Sequence, residues 1–304
     1  MGQKDLTQKQ MEAYADVFAD LINALLYGGQ PVVLAQELKP APTESVYDTG
    51  AKKLKNQFAD ISYYIVRDGR IQMQYIVENQ TIPERRHVLR KAGYIGAAYR
   101  KQYDAQEMYP VVQIVLYWGK RSWKTAGGLK ALLSHNPFAK LTERYIDEIS
   151  LHVYEMNHLS KEIREHLKSD MRIVADYLAE GSAYQPTDQK IVHLEAFLQM
   201  MYALTGDVRY EEMITEYEGK EKIGMCELLD RYENRGIQKG IQKGIQKGIQ
   251  KGIQKGEFRW RILEYIDIRR EDRYAEEEIC QGIMRKFGLT EEKANCYMRG
   301  AIPE

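Results

Sequence analysis

Two strand-like segments separated by a tight turn constrain the fold of this chain more than any other feature. The segments FADISYYIV and RIQMQYIVE alternate apolar and polar residues, and they flank Asp68 and Gly69. An Asp-Gly pair between two such runs is a strong signal for a β-hairpin, because both residues tolerate the positive φ of a two-residue turn. We therefore expect a hairpin in which Asp60 starts one strand and Glu78 ends the other.

Helical and strand-like segments surround this hairpin. Apolar residues at helical spacing predict a helix over residues 11–27, stopped by two glycines, and a Pro- and Thr-rich loop is expected at 39–50. After the hairpin, HVLRKAGYIGAAYRKQY predicts a basic helix and PVVQIVLYWG predicts a buried strand. This order indicates an α/β fold with a mixed central sheet flanked by helices.

The second half of the chain has few strand signals. Apolar residues at spacings of three and four predict helices up to about residue 230, and Gly288 and Thr290 end one helix and begin another near the C-terminus. We expect an α/β domain, a helical region, a repeat and a small helical unit, at residues 1–140, 141–233, 234–257 and 258–304.

The repeat consists of the tetrapeptide GIQK, which recurs without variation between Gly236 and Gly256. On a helix each four-residue step overshoots a full turn by about 40°, so the isoleucines cannot hold one face. The glycines also oppose a stable lone helix. A helical arm for oligomerisation or nucleic-acid contact is one interpretation; we favour the other, a low-complexity tether.

Composition and charge narrow the possible classes of protein. The chain lacks both an apolar run of about 18 residues and an apolar N-terminal signal, so we expect a cytoplasmic protein without a membrane span. Its three cysteines lack the spacing of a zinc or redox site.

Residues 84–130 carry a net charge of +7 and residues 142–233 one of −10. Such a balance fits a phosphate-binding surface beside an acidic region, or two solvated surfaces of opposite sign.

The hairpin brings together the side chains best suited to chemistry. Counting outward from the turn makes Asp60 and Glu78 neighbours across the sheet, and Gln80 follows two residues later on the same face. Converging carboxylates are what a divalent metal needs in order to assist phosphodiester cleavage. Taken without further information, the same residues could form only an exposed polar face of the hairpin.

The segments YIVENQT, GAAYRKQ and YPVVQIVLYWGKRSWK, with an aspartate ahead of them, resemble the Rpn family of recombination-promoting nucleases and transposases, within the PD-(D/E)XK superfamily. The resemblance extends from ADVFADLIN to LKSDMRIVADYL, and KFGLTEEKA near the C-terminus also fits. It implies a PD-(D/E)XK restriction-endonuclease-like core followed by a mostly α-helical C-terminal region.

The resemblance also implies roles for individual residues. Asp60 and Glu78 would bind Mg²⁺ or Mn²⁺. Asp20 on the first helix would supply a further carboxylate, or it belongs to a solvated face of that helix. Gln80 would lie where the wider superfamily usually carries a lysine, and a neutral amide cannot supply that positive charge. The chain also has Ile95 where the related pattern has an acid after RxxxY.

A basic helix after the catalytic strand would contact DNA. The candidates for phosphate contacts are the basic side chains of this region, which could equally serve only solubility, namely Arg86, Arg90, Arg100 and Lys101. The leading hypothesis is a metal-dependent DNA endonuclease. One alternative is a catalytically impaired, nuclease-like DNA-binding or scaffold protein, and another is a homo-oligomer assembled through the helical half and the GIQK repeat.

Overall fold

The computed structural model describes residues 3–48, 54–124, 127–217 and 223–301. The chain forms two compact units, Met1–Asp230 and Arg231–Glu304. No described helix combines the length and the apolar character that crossing a membrane would require.

The helices and strands follow one another in this order: α1 (Gln3–Glu12), α2 (Ala15–Tyr27), β1 (Leu38–Pro40), β2 (Glu44–Asp48), β3 (Leu54–Phe58), β4 (Ile61–Arg67), β5 (Arg70–Gln80), α3 (His87–Arg100), β6 (Val111–Tyr117), α4 (Leu129–Leu133), α5 (Pro137–Leu141), β7 (Val153–Glu155), α6 (Lys161–His166), α7 (Met171–Glu180), β8 (Lys190–Ile191), α8 (Leu194–Thr205), α9 (Val208–Tyr217), β9 (Ile223–Gly224), α10 (Met225–Glu271), α11 (Glu276–Phe287) and α12 (Glu291–Met298). The mixed α/β architecture with a helical C-terminal region agrees with the prediction.

A five-stranded mixed sheet is the centre of the first unit. Its strand order is β1-β4-β5-β6-β7. Strand β4 is antiparallel to both β1 and β5, whereas β5, β6 and β7 run parallel. Strand β5 is buried from Gln74 to Asn79, as expected for a central strand with neighbours on both sides.

The predicted hairpin is confirmed in β4 and β5. Asp68 and Gly69 form its turn with φ values of 51° and 76°. This is the positive-φ conformation on which the prediction from the Asp-Gly pair depended. Ile61 lies opposite Val77, so Asp60 and Glu78 occupy the next opposing positions. Asp60 precedes β4 by one residue, and β5 continues beyond Glu78 to Gln80.

The structure alters two sequence predictions near the N-terminus. The helix expected over residues 11–27 is present as α2, which begins at Ala15 and is stopped at Gly28 as predicted. Tyr14 has extended backbone angles and its ring stacks on His193 at 3.7 Å between centroids, so residues 11 and 12 belong instead to α1, which was not predicted from the sequence. The expected loop at 39–50 contributes β1 and β2 instead, although residues 49 and 50 lie outside the described part. Strand β1 exists only because it pairs with β4, a contact that local sequence cannot reveal.

The predicted basic helix and buried strand are confirmed as α3 and β6. Helix α3 connects the parallel strands β5 and β6, and its Tyr94 and Ala98 pack with Ile76 and Val111. Ile95 lies against the same cluster. The apolar residue at position 95 therefore has a packing role.

The GIQK repeat is helical in the structure, and its role as a tether or as an arm stays a prediction. It forms the middle of α10, a helix of 47 residues. Six glycines cost about 1 kcal/mol each relative to alanine. Apolar anchors exist at both ends, where Leu228 and Ile262 are fully buried, so the repeat needs only to propagate a helix that is already nucleated.

The second unit has its own small core. Ile262 and Ile266 of α10 pack with Ile279 and Ile283 of α11 and with Tyr297 of α12. Gly288, with φ 65°, ends α11. Thr290 is the N-cap of α12, as predicted. This arrangement confirms the expected helical unit at the C-terminus, whereas the four-part division of the chain stays a prediction.

Candidate functional site

The candidate site lies where β5 ends, and successive side chains of this strand point to opposite faces of the sheet. Glu78 points toward α3, where its carboxylate meets Arg90. Asn79 points the other way, where its amide donates to the Glu12 carboxylate of α1 at 2.7 Å. The strand therefore presents one acidic face and one amide face to two different helices.

Asp60 connects the hairpin to α1. Its Oδ2 accepts the backbone N–H of Asn79 at 2.6 Å, and its Oδ1 lies 2.7 Å from Lys9 Nζ. The Asp60 side chain is only 12% exposed, so its charge is poorly hydrated and the nearby ammonium group offsets this loss. The predicted pair of carboxylates is present, and it carries a lysine that the prediction did not include.

The Glu78 carboxylate is buried beneath α3. Its side chain is 0% exposed, and its Oε2 lies 2.9 Å from Arg90 Nη2. Burial raises the pKa of Glu78 to about 7, while the Arg90 guanidinium lowers it and the neighbouring Asp60 charge raises it. Glu78 can therefore hold or release a proton near neutral pH, which is a property of groups that act as acids and bases.

His87 lies on the same side of the sheet, with its Nε2 4.0 Å from Glu78 Oε2. Burial lowers the pKa of His87 to about 4, and the Arg90 charge adds to this effect. The imidazole is therefore neutral at physiological pH and does not form an ion pair with Glu78. Its two buried ring nitrogens find no hydrogen-bond partner among the described residues.

Arg90 and Tyr94 connect this face of the site to the end of β3, just before Asp60. Arg90 Nη2 donates to the Tyr94 hydroxyl at 3.1 Å, and that hydroxyl donates to the Phe58 carbonyl at 2.6 Å. Phe58 is two residues before Asp60. Helix α3 thus fixes the chain on both sides of the carboxylate pair.

On the opposite face, Asn79 is the centre of a buried polar network. Its Oδ1 accepts from Trp118 Nε1 at 2.6 Å, while its amide donates to Glu12, which is fully buried. Buried polar groups of this kind need hydrogen-bond partners, and the Asn79 side chain provides one for Glu12 and one for Trp118. The network ties α1 to β5 next to Asp60.

Gln80 occupies the last position of β5, on the face of Glu78 by strand alternation. Its backbone carbonyl accepts the Trp118 N–H at 2.7 Å. The structure gives its half-buried side chain no hydrogen bond to a described residue. Within the described part of the chain, the cationic groups that form ion pairs with the two carboxylates are Lys9 of α1 and Arg90 of α3.

Asp20 does not join this site. Both of its carboxylate oxygens accept the backbone N–H of Lys168, at 3.0 and 2.9 Å, and Oδ2 also accepts that of Ser169 at 2.8 Å. These contacts connect α2 to the segment before α7. The expectation that Asp20 binds the metal is corrected, because its oxygens are engaged by backbone N–H groups elsewhere.

The four basic residues predicted to contact DNA differ in their surroundings. Arg90 is engaged by Glu78, and its side chain is 38% exposed. Arg86, Arg100 and Lys101 are exposed at the two ends of α3. Their contact with phosphate stays a prediction.

The residues present suit a magnesium or manganese ion in type, although they provide few protein ligands. Mg²⁺ commonly binds through one or two carboxylates and keeps several waters, and Asp60 and Glu78 are such a pair. No set of three acidic, histidine or cysteine side chains converges within the described part of the chain. A metal there would depend on these two carboxylates, on water and on substrate oxygens.

Lys9 and Glu12 are the main residues that sequence reasoning missed. They lie three residues apart on α1, so they share a face of that helix. This spacing was the sequence signal that could have identified the pair. It predicts a role in the site only once α1 is known to pack beside β5, which the contacts with Asp60 and Asn79 reveal.

Comparison with known proteins identifies the family. Residues 42–200 match the model of the family described as "Putative transposase, YhgA-like", and this range includes Asp60, Glu78, Gln80 and all of α3. No curated protein and no solved structure matches the chain. Because the match covers more than half of its 304 residues, the chain belongs to the family described as "Putative transposase, YhgA-like".

Proposed function

We propose that this protein is a metal-dependent DNA endonuclease of the recombination-promoting type, and that its sheet is the core of a PD-(D/E)XK nuclease. The observation that carries the proposal is the juxtaposition of Asp60 with the buried Glu78, whose pKa is raised to about 7, in a chain of a transposase family. The sheet and its flanking helices support the same assignment.

Each residue has a distinct task in this proposal. Asp60 and Glu78 would bind Mg²⁺ or Mn²⁺, which would supply Lewis-acid activation of water and of the scissile phosphate. Arg90 holds the Glu78 carboxylate in place, and Lys9 supplies the positive charge that Gln80 cannot. Gln80 lies on the Glu78 face, where its amide can orient a water molecule or a phosphate oxygen.

A second candidate function is DNA binding without cleavage. The structure offers one specific observation in its favour, since Lys9 and Arg90 already neutralise the two carboxylates. A metal ion would have to compete with both ion pairs. A chain that has retained the fold while losing turnover would show the same arrangement.

Cleavage of supercoiled plasmid distinguishes the two functions. The wild type is compared in Mg²⁺ and in Mn²⁺ with Asp60→Asn and Glu78→Gln, which retain side-chain size, all purified identically. We expect metal-dependent nicking by the wild type and at least a hundredfold loss in both variants. Equal nicking by all three would reveal a contaminant, and no nicking by a wild type that still binds DNA would support the second function.

Metal binding gives an independent measurement. Isothermal titration of Mn²⁺ into the wild type should show a site that weakens at least tenfold in Asp60→Asn. Binding without nicking would identify a metal-containing but inactive protein. Nicking without measurable binding in the absence of DNA would mean that substrate oxygens complete the site.

A further inference from the structure

The connection between β6 and β7, residues 118–152, exposes an apolar patch. Its two short helices, α4 and α5, contain no buried residue. Phe138, Leu141 and Tyr145, named here the α5 patch, are 71, 75 and 71% exposed. Phe138 and Leu141 share one face of α5 because they are three residues apart. Large apolar side chains gathered in this way on a surface indicate a binding site, whereas isolated ones do not.

Hydrogen bonds hold the patch in a defined shape. The Asn136 side chain accepts the Phe138 N–H at 2.9 Å and caps α5. The Phe138 carbonyl accepts the Thr142 hydroxyl at 2.8 Å, and the Thr142 carbonyl accepts the Tyr145 N–H at 2.8 Å. The two aromatic rings are therefore carried by a folded segment although solvent surrounds them.

A cavity of about 210 Å³ adjoins the patch, because residues from α5 and from the turn after it line both. Three apolar side chains, two lysines and a glutamate contribute to its lining: Leu133, Ala139, Ile146, Lys130, Lys140 and Glu143. A cavity of about 150 Å³ is enough for a benzene molecule. This cavity therefore has room for one heterocyclic base and offers charged groups to the edge of its ring.

The charges around the patch suit a polyanion. The connection between β6 and β7 holds six Lys or Arg against three acids, a net charge of +3. The Arg144 guanidinium lies over the Tyr145 ring, 4.5 Å from its centroid, and donates to the Tyr145 hydroxyl. Aromatic rings interleaved with cations are typical of surfaces that bind single-stranded nucleic acid, because bases stack on the rings while phosphates meet the cations. A protein partner fits less well, since lysine is depleted in protein–protein interfaces.

We propose that the α5 patch binds single-stranded DNA, with bases stacked on Phe138 and Tyr145 and one unpaired base inserted into the cavity. Lys130 and Lys140 contact phosphates of that strand. Glu143 accepts a hydrogen bond from the exocyclic amino group of an inserted cytosine or adenine. The choice of DNA over RNA rests on the proposed function, whereas the binding itself does not require cleavage.

The test uses the full-length chain carrying Asp60→Asn, in EDTA, so that cleavage cannot affect the result. Fluorescence anisotropy is measured with a 15-nucleotide single strand and with the duplex of the same sequence. The ring-deleted variant carries Phe138→Leu and Tyr145→Leu, which keep apolar side chains but remove both rings. The ring-retaining control carries Phe138→Tyr and Tyr145→Phe.

Two further variants locate the effect. Tyr103→Ala removes a ring that is 86% exposed in the turn after α3, outside the patch. Ala139→Leu places a larger side chain in the lining of the cavity. Far-UV circular dichroism checks that every variant is folded.

We expect the ring-deleted variant to bind the single strand at least tenfold more weakly, since two stacking surfaces are lost. The ring-retaining control and Tyr103→Ala should keep the wild-type affinity. Ala139→Leu should lower the affinity at least threefold, because the inserted base loses its space. Binding to the duplex should change less than twofold in all four variants.

Several results would overturn the proposal. No binding of the single strand by the parent chain, or unchanged binding by the ring-deleted variant, would mean that the patch does not take this ligand. An equal loss in Tyr103→Ala would mean that the patch is not the cause, and wild-type affinity in Ala139→Leu would remove the inserted base.

Other outcomes would assign the patch to a different partner. Tighter binding of an RNA strand of the same sequence would assign it to RNA. Sedimentation that shows an oligomer lost in Leu141→Ser, with single-strand affinity unchanged, would assign it to self-association. Plasmid nicking is measured separately, so a failure of this proposal is distinguishable from a failure of the proposed nuclease.

Discussion

Glu78 makes folding sensitive to pH at the level of a single residue. Because burial raises its pKa to about 7, the folded protein keeps a proton on Glu78 that the unfolded chain releases near 4.5. The free energy of unfolding therefore falls as the pH rises through this interval, and the loss is complete above about pH 7. Glu78→Gln cannot ionise and should lack this dependence.

We expect the Glu78→Gln variant to gain stability relative to the wild type as the pH rises from 4.5 to 8. The gain is up to about 3 kcal/mol, since each pH unit between the two pKa values corresponds to about 1.4 kcal/mol. Urea unfolding in EDTA measures it, with the exposed Glu84→Gln as the matched control. Parallel profiles for wild type and Glu78→Gln would show that Glu78 titrates at its ordinary pKa.

Substitutions of Lys9 distinguish a role in the reaction from a role in stability. Removing its charge in Lys9→Met leaves Asp60 without this ion pair, which should lower the free energy of unfolding by about 1 kcal/mol. If Lys9 serves the reaction, initial nicking rates should fall at least tenfold while Mn²⁺ affinity rises or stays the same. Lys9→Arg should recover part of the rate. A faster Lys9→Met enzyme would instead mean that Lys9 only competes with the metal for Asp60.

At the scale of elements, Asp20 joins two helical segments that are far apart in sequence. Its carboxylate accepts the N–H groups of Lys168 and Ser169, next to the beginning of α7. Asp20→Asn should therefore lower the free energy of unfolding by about 1–2 kcal/mol, as the loss of a charged acceptor does. Nicking rates and Mn²⁺ affinity should stay at wild-type values.

Thermal unfolding and plasmid nicking are the two measurements for Asp20→Asn, with Asp104→Asn in the exposed turn after α3 as the control. A wild-type melting temperature together with weaker Mn²⁺ binding would restore the metal-binding role that the structure argues against. A lower melting temperature with unchanged metal binding would support the connecting role. The two readouts separate the hypotheses because stability and metal affinity depend on different contacts.

At the scale of the whole molecule, the two compact units each contain buried apolar residues, and the described side chains of the GIQK repeat, residues 236–256, add none. Deleting two repeats, residues 241–248, should therefore change the melting temperature by less than about 2 °C. Calorimetry of the full chain checks this expectation. A drop of more than about 5 °C would mean that the repeat supports the folded units, since a change of 1 kcal/mol moves the midpoint of a domain of this size by about 2–4 °C.

The sequence by itself determined the features that depend on neighbours along the chain. The hairpin was predictable because Asp68 and Gly69 adopt the positive φ that their types favour, and its register placed Asp60 beside Glu78. Helix α3 and strand β6 were predictable from periodicity and from a continuous apolar run. These signals depend only on nearby residues. They predicted the structure correctly because the central sheet buries the same residues that the apolar pattern marks as buried.

Only the tertiary structure decided which distant residues complete the site. The site gains Lys9, Glu12 and Asn79 only because α1 packs beside β5. Likewise, β1 becomes a strand only by pairing with β4. The position of Asp20 on the first helix suggested a metal ligand. In the structure its carboxylate instead accepts hydrogen bonds from backbone N–H groups 148 and 149 residues away. The physical reason is that desolvation, ion pairing and strand pairing are set by which groups become neighbours in space, and short sequence patterns do not specify such neighbours.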